Sequence, residues 1–485
     1  MRNSFLLSGV FFGAMALAPA QSEAQWESDV RLTNNTAFSQ TSSNNAWCIA
    51  ASGDVVHAVW YDFRDGNYEI YYNRSPDGGT NWEGDIRLTN NSAASYRPSV
   101  TVFDQVVHVV WYDHRDGLYS NIYYKRSVDG GISWSADTAL TDTSSAEDYP
   151  SIAVSGQEVH VVWRDFREVG NPEIYYRRST NGGASWGGDT RLTNDPADSY
   201  SPSVSASGQV VHVVWYENRD GNWQIYDKRS TDGGTNWGTD TRLTNNTTTS
   251  YYPSVSVSGQ VVHVVWDDNR DVAWSIYYKR STDGGANWGA DTRLTYGPSY
   301  DPSVSASGQA VHVVWWDNRD GNYEIYYKRS TDSGASWEAD TRLTINTATS
   351  NNPSVSISGE VVHVVWYDLR DGNYEIYYNR DPTGNVVSGI EDSDSELPEE
   401  FSLEQNYPNP FNPSTKIEFR VASSEFVQLK IYDVLGQEVA TLVNEVKAPG
   451  IYQVTWNATG LGSGVYLYRL TAGSFSDVRK LVVVQ

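Results

Sequence analysis

Apolar residues along the first four-fifths of the chain come in short bursts, cut apart by Ser-Gly, Asp-Gly and Gly-Gly. The bursts recur in a set order. A Pro-Ser-Val-Ser type stretch such as Pro253–Val257 is followed by Val261–Trp266 (VVHVVW), then Ile276–Arg280 (IYYKR), then Asp291–Thr295 (DTRLT). These stretches are β-branched and aromatic, and the small residues between them are turn formers. No stretch holds a helical spacing. Each unit therefore predicts a four-stranded antiparallel meander. A meander of about fifty residues cannot bury both faces alone, so the copies must pack on one another.

The histidine of the second stretch marks the repeat. It recurs at His57, His108, His160, His212, His263, His312 and His363, in steps of 49 to 52 residues. Val311–Trp337 and Val211–Trp237 are close copies. The first three strands occur seven times and so does the fourth, but one fourth strand is displaced. Asp29–Thr33 (DVRLT) precedes the first full unit, and the last unit, ending Ile376–Arg380, has none after it. This predicts an all-β fold: a seven-bladed β-propeller over 25–380, closed by the N-terminal strand. An open solenoid would keep its sheet edges and carry atypical caps.

The remaining segments divide cleanly. Residues 1–24 read as a signal peptide, with Arg2, the apolar run Phe5–Ala18 and small residues before a cut. No segment is apolar enough for a strong transmembrane span. Residues 381–400 are acidic and poor in aromatics, and read as a linker. Residues 401–485 alternate over Lys416–Val421, Val427–Tyr432, Glu438–Leu442, Tyr452–Trp456, Val465–Leu470 and Val478–Val484, which predicts a small immunoglobulin-like β-sandwich.

Charge and cysteine content narrow the chemistry. A formal charge of −25 and a pI near 4.6 argue against nucleic acid and anionic membrane surfaces as partners. A single cysteine, Cys48, excludes an intrachain disulfide. It stands where other units carry Ser99, Ser151 or Ser203, so it is expected to pack near the hub. One histidine per blade forms a wide circle, not a metal site. Asp62, Asp65, Asn67 and Glu69 match no calcium-loop spacing. No cofactor and no metal are expected.

Two families of turns carry the motifs. Between third and fourth strands lie Ser75–Trp82 (SPDGGTNW), Ser127–Trp134, Ser179–Trp186, Ser230–Trp237, Ser281–Trp288 and Ser330–Trp337. The Asp accepts hydrogen bonds from the turn's own N–H groups, the Gly residues permit positive φ, and the Trp covers the hairpin. These turns resemble the Asp-box (BNR repeat) of sialidase-like propellers, which implies a fold role on the face opposite the active site. Between second and third strands each unit carries an arginine flanked by acids: Arg64, Arg115, Arg167, Arg219, Arg270, Arg319 and Arg370. Beside them stand Tyr61, Tyr112, Tyr216, Trp316 and Tyr367. These residues are the expected ligand-binding set: guanidinium groups and rings around the channel mouth suit carboxylates or sugar hydroxyls. The competing reading is Arg–Asp pairing that holds the hairpins, and sevenfold repetition favours it.

The resemblance to sialidases raises glycoside hydrolysis. Those enzymes carry a Phe/Tyr-Arg-Ile-Pro motif that this sequence lacks, and their rings usually have six blades. Catalysis also needs an asymmetric acid–base pair, and the deviations His114, Arg164, Glu168, Glu217, Asp227, Asp267 and Trp274 form none that sequence alone assembles. No catalytic residue is assigned. The tail, in FSLEQNYPNPFNPSTKIEF (Phe401–Phe419), LKIYDVLGQEVATL (Leu429–Leu442), GVYLYRLTAG (Gly464–Gly473) and RKLVVV (Arg479–Val484), closely resembles the type A C-terminal sorting domain of the type IX secretion system. It implies the secretion machinery as a partner and export to the outer surface of a Gram-negative cell or beyond. The leading expectation is a non-catalytic module for an extracellular glycan or protein ligand. A sialidase-like glycosidase and a structural or adhesive surface protein are the alternatives.

Overall fold

The computed structural model describes residues 26–484 apart from 43–46, 142–144, 169, 272, 385–400, 407, 423–424, 448–449 and 474. The expected signal peptide (1–24) lies outside the described residues, as does the linker beyond Gly384. The chain forms two units, divided near residue 388.

Among the described residues, the first unit holds seven sheets. The second sheet is representative: Ser95–Phe103, Val106–Asp113, Asn121–Ser127 and Thr138–Ala139 pair antiparallel in sequence order. In the first sheet the described residues of the inner strand include Ser39–Gln40 and Ile49–Ser52, both paired with Val55–Asp62. The seventh sheet takes its outer strand from the far end of the chain, with Val30 opposite Tyr378 and Arg31 opposite Tyr377. Its third strand runs to Asp381 and Gly384 accepts from Arg329, so the first residues of the expected linker belong to this sheet.

The outer strands are shorter than the sequence suggests, two residues each. Their Thr and Arg side chains replace the ladder. Ile376 N–H donates to the Thr33 hydroxyl (2.8 Å), and Arg31 Nε turns back on the Thr33 carbonyl (2.7 Å).

The second strands lie between two neighbours and are buried on both faces. Val107, Val109, Val110 and Trp111 have no exposed surface. Each such Trp contributes on the order of 4 kcal/mol through the area it removes from water. Consecutive sheets share a core, and the core of the first sheet includes Val100 and Trp111 of the second and Val365 and Ile376 of the seventh. The inner strands surround a narrow channel of about 190 Å³, lined by Ala51, Val102, Val154, Ala206, Val257, Ala306 and Ile357. Serines tie one inner strand to the next: Val204 N–H donates to Ser151 Oγ and Val255 N–H to Ser203 Oγ, each at 3.3 Å. Cys48 packs here as expected. Its N–H donates to Ser354 Oγ (3.1 Å), and burial pushes its thiol up to about 11.

Six of the repeat histidines bond a tyrosine of their own sheet. His57 Nδ1 lies 2.7 Å from the Tyr72 hydroxyl, and His108, His160, His263, His312 and His363 do the same with Tyr124, Tyr176, Tyr278, Tyr327 and Tyr378. Burial, then the charge of a neighbouring arginine, lowers His57, His108, His263 and His363 to about 3 and His160 to about 4. The unfolded chain takes up these protons near pH 6.5 while the folded chain does not. Stability is therefore full above about pH 6.5 and falls as the pH drops toward 3–4. Thermal midpoints followed from pH 7 to 5, above most carboxylate titration, should decline steadily. A flat profile would contradict neutral buried histidines.

Among the described residues, the second unit has two sheets. One orders Ser402–Leu403, Ser414–Val421 and Gly450–Asn457, and the other orders Glu438–Lys447, Glu425–Tyr432, Gly464–Ala472 and Phe475–Val483. Ile417, Phe419, Leu429, Ile431, Tyr468, Leu470 and Leu481 form the core between them. Among the described residues of the whole chain, no helix is long and apolar enough to cross a membrane.

Candidate functional site at the channel mouth

The seven repeat arginines lie within their own sheets. Arg64 reaches Asp62 through Nη2 (2.6 Å) and Asp85 through Nη1 (2.7 Å), with its guanidinium 4.2 Å from the centre of the Tyr71 ring. Arg115 pairs in this way with Asp113 and Asp137, Arg167 with Asp165 and Asp189, and Arg219 with Glu217 and Asp240. Arg270 pairs with Asp268 and Asp291, Arg319 with Asp317 and Asp340, and Arg370 with Asp368 and Asp29. The second partner in each case precedes the outer strand. In place of the expected ring of guanidinium groups stand seven clusters that fasten the turn to the sheet edge, and Arg219 also reaches Asp195 (2.9 Å) after the third sheet's outer strand.

A different set of side chains converges. Among the described residues, six inner strands contain a β-bulge, as between Tyr96 and Ser99. At each bulge stands the residue before a proline, in left-handed backbone: Arg97 (φ 50°), Tyr149 (52°), Ser201 (50°), Tyr252 (49°), Asp301 (46°) and Asn352 (48°). Proline donates no ladder bond and disfavours the helical region for its predecessor. The bulge absorbs the missing bond and re-aims the preceding side chain. Left-handed backbone costs each non-glycine residue about 1–2 kcal/mol. Six such positions on one end of one channel mark a place where side-chain direction is maintained against strain.

These residues meet their neighbours from sheet to sheet. The Arg97 guanidinium lies 4.3 Å from the centre of the Tyr149 ring and hydrogen-bonds Tyr112. Arg164 binds Asp148 through Nε (2.7 Å) and Nη2 (2.5 Å) and lies over both Tyr149 and Tyr200. Tyr216 meets Tyr252 edge-on at 5.7 Å. Asp301 N–H donates to Asp267 Oδ2 (3.2 Å), and Trp316 Nε1–H donates to Asp301 Oδ2 (2.9 Å). The Thr41 hydroxyl donates to the Asn352 carbonyl (2.8 Å). Tyr61 lies 5.8 Å from Tyr96, and Tyr367 lies 5.0 Å from Tyr374.

Burial governs the charges at this end. It holds Asp267 well above the usual carboxylate range, and the charges of Asp301 and Asp268 reinforce it. Burial also raises Asp301 and Asp148, opposed by Trp316 N–H and Arg97 in the first case and by Arg164 in the second. Tyr112 is pushed up to about 12 by burial.

Of the ligand-binding set expected from sequence, Tyr61, Tyr112, Tyr216, Trp316 and Tyr367 stand in this region. Of the deviations, Arg164 and Asp267 join them and Trp274 stacks on Tyr251 at 5.5 Å. Glu217 instead replaces the aspartate partner of a repeat arginine, and burial raises it to about 7. Glu168 pairs with Arg191 (3.3 Å), and His114 lies edge-on to Tyr112 at 5.9 Å. Asp227 replaces a tyrosine opposite His212 Nδ1 (2.8 Å). Sequence reasoning passed over Arg97, Tyr149, Tyr252, Asp301 and Asn352. The signal was present: within a recurring Ser-x-x-Pro-Ser-Val frame, written Glu147–Ile152 in the third unit, the residue before proline changes identity from unit to unit.

A profile of the secretion system C-terminal sorting domain matches residues 405–484. Such a domain directs export through the type IX secretion system to the cell surface or outside it. Solved structures similar to this chain include the polysaccharide lyase Uly1, with 10% identity and a TM-score of 0.51 over 73% of this chain and 99% of that one. A PL25 ulvan lyase bound to -[GlcA(1-4)Rha3S]- has 10% identity and a TM-score of 0.52 over 72% and 95%. A Trypanosoma rangeli sialidase in complex with the inhibitor DANA has 11% identity and a TM-score of 0.44 over 82% and 85%. The two lyases share the propeller-like fold with this chain. No curated protein sequence matches it.

Proposed function

We propose that the first unit is a closed seven-bladed propeller that binds carbohydrate, without cleaving it, at the channel mouth. The sorting domain delivers this module to the cell surface or medium. The outer strand supplied by Val30–Arg31 and the core shared by first and seventh sheets support closure.

The observation that carries the binding reading is the asymmetric mouth. Tyr61, Tyr112, Tyr149, Tyr216, Tyr252, Trp316 and Tyr367 offer aromatic surface, while Arg97, Asp148, Arg164, Asp267 and Asp301 offer charged and hydrogen-bonding groups. Sugar rings need this pairing of flat apolar faces with fixed polar partners. The seven arginine–carboxylate clusters vary only in Glu217, which replaces an aspartate, and bring together no such set of rings and charges. Their part here is to hold the turns that surround the mouth.

An oligosaccharide array probed with the purified protein tests the reading. Tyr149→Ala should weaken the best ligand by roughly tenfold or more, the equivalent of about 1.4 kcal/mol of stacking. Absence of any oligosaccharide ligand for the wild type would overturn it. The Asp267–Asp301 carboxyl pair is the one feature that favours a hydrolase instead. Release of new reducing ends from a bound oligosaccharide would establish that alternative.

A further inference from the structure

Just before the last residue of each second strand, six sheets present Tyr61, Tyr112, Arg164, Tyr216, Trp316 and Tyr367, whereas the fifth presents Asp267. Where the others project a ring or a guanidinium, the fifth sheet ends in a carboxyl group. Asp267 is 2% exposed. Its Oδ2 accepts the Asp301 N–H at 3.2 Å, and its Oδ1 accepts no hydrogen bond from any described residue. A buried polar atom without a partner costs about 1–3 kcal/mol, which a hydrogen bond to a ligand hydroxyl would offset. Asp301 beside it is fixed by Trp316.

Building on the carbohydrate reading above, we propose that Asp267 and Asp301 form a subsite for two adjacent hydroxyls of a neutral sugar ring. In the state that binds, Asp267 carries a proton on Oδ1 and donates it to one hydroxyl oxygen, while Asp301 is ionised and accepts from the other hydroxyl. A neutral acid beside a carboxylate supplies the one donor and the acceptors that a vicinal diol requires.

The groups that face Asp267 are Asp301 on the sixth sheet's inner strand, Asp268 on its own strand, and Tyr252 and Tyr300. Arg97 acts from across the mouth on Asp301 and Tyr252. Both carboxyl groups are raised by burial, Asp267 the more strongly because two acids adjoin it. Affinity should therefore pass through a maximum. It falls on the acid side as Asp301 takes up a proton and on the alkaline side as Asp267 loses one.

The test titrates the strongest neutral oligosaccharide on the array against full-length wild type, Asp267→Asn and Asp267→Tyr across pH. Asp267→Asn keeps a donor and an acceptor in place, so it should bind within a few-fold of wild type and lose only the alkaline fall. Asp267→Tyr installs the residue found at four equivalent positions and should bind at least about tenfold more weakly, the effect of a lost hydrogen-bonded anchor. Its thermal midpoint reports that it folds. Wild-type affinity and pH profile in Asp267→Tyr, or an unchanged alkaline fall in Asp267→Asn, overturns the subsite while leaving carbohydrate binding intact. Failure of the wild type to bind any oligosaccharide removes the parent reading and the subsite together.

Discussion

Deletion of residues 26–33 is expected to lower the thermal midpoint of the full chain by on the order of 10 °C. These few residues complete the seventh sheet in three ways. Asp29 pairs with Arg370 (2.6 Å) and Asn379 (2.9 Å), and Glu27 pairs with Arg380 (2.9 Å). Arg31 Nη2 (2.9 Å) and the Thr33 hydroxyl both serve Glu375, which has no exposed surface. Trp26 meets Tyr327 edge-on at 4.9 Å. That last contact matches Trp82 on Tyr378, Trp134 on Tyr72, Trp186 on Tyr124, Trp237 on Tyr176 and Trp337 on Tyr278. Trp26 is thus the box tryptophan of the seventh sheet, delivered from the other end of the chain. Removing Arg31 and Thr33 takes the only cation from a buried carboxylate and leaves it, among the described residues, Asn35 N–H and Asn373 alone; breaking such a buried pair costs about 3–5 kcal/mol. Exposure of a three-stranded edge adds to this and invites association between chains. Calorimetry of the truncated protein decides the matter. An unchanged midpoint would mean that the seventh sheet does not depend on the N-terminal strand.

Much of this arrangement was legible in the sequence because it repeats. Four bursts per unit give four strands per sheet, and the displaced Asp29–Thr33 copy is the strand that pairs with Tyr377–Tyr378. The serine-to-cysteine exchange at Cys48 pointed to the hub for the same reason. Trp26 was missed because one residue, without the Ser-x-Asp-x-Gly frame, carries no pattern. The candidate site was harder for an opposite reason. Sequence repetition drew the eye to the seven arginines, whose partners Asp62, Asp113 and their equivalents are buried within the same sheet. The mouth residues are conspicuous only by variation at a few repeat positions, and their meeting depends on a bulge whose left-handed backbone no local propensity predicts for Arg97 or Tyr149. Asp267 and Asp301 are far apart in the repeat frame, and only packing of the fifth sheet on the sixth brings them together.

Gly131→Ala should destabilise the protein by about 3–5 kcal/mol, whereas Gly66→Ala should cost only about 1 kcal/mol. Both glycines lie in left-handed turns, at φ 88° and 89°. A Cβ at Gly66 meets nothing within 4 Å, but at Gly131 it would stand 1.8 Å from the Tyr72 hydroxyl of the preceding sheet. Tyr72 is buried, pressed by Trp134 and bonded to His57. Displacing it severs that bond and leaves two buried polar groups unpaired, at about 1–3 kcal/mol. The Asp-box glycine is therefore a seat for the neighbouring sheet as well as a turn residue. The fourth sheet shows how the seat is filled otherwise. Asp227 stands where a tyrosine would, His212 remains bonded to it, and the His212 ring comes to lie beneath Gly285. There a Cβ on Gly285 would stand 2.3 Å from His212 Cε1, so the seat stays filled and Tyr72→Asp would not relieve Gly131→Ala. Tyr72→Ala, which removes the ring and its hydroxyl together, should. Urea denaturation of the two single variants and the double should give a favourable coupling of more than about 1 kcal/mol. Strictly additive losses would show that the box glycine and the tyrosine of the preceding sheet do not act through this contact.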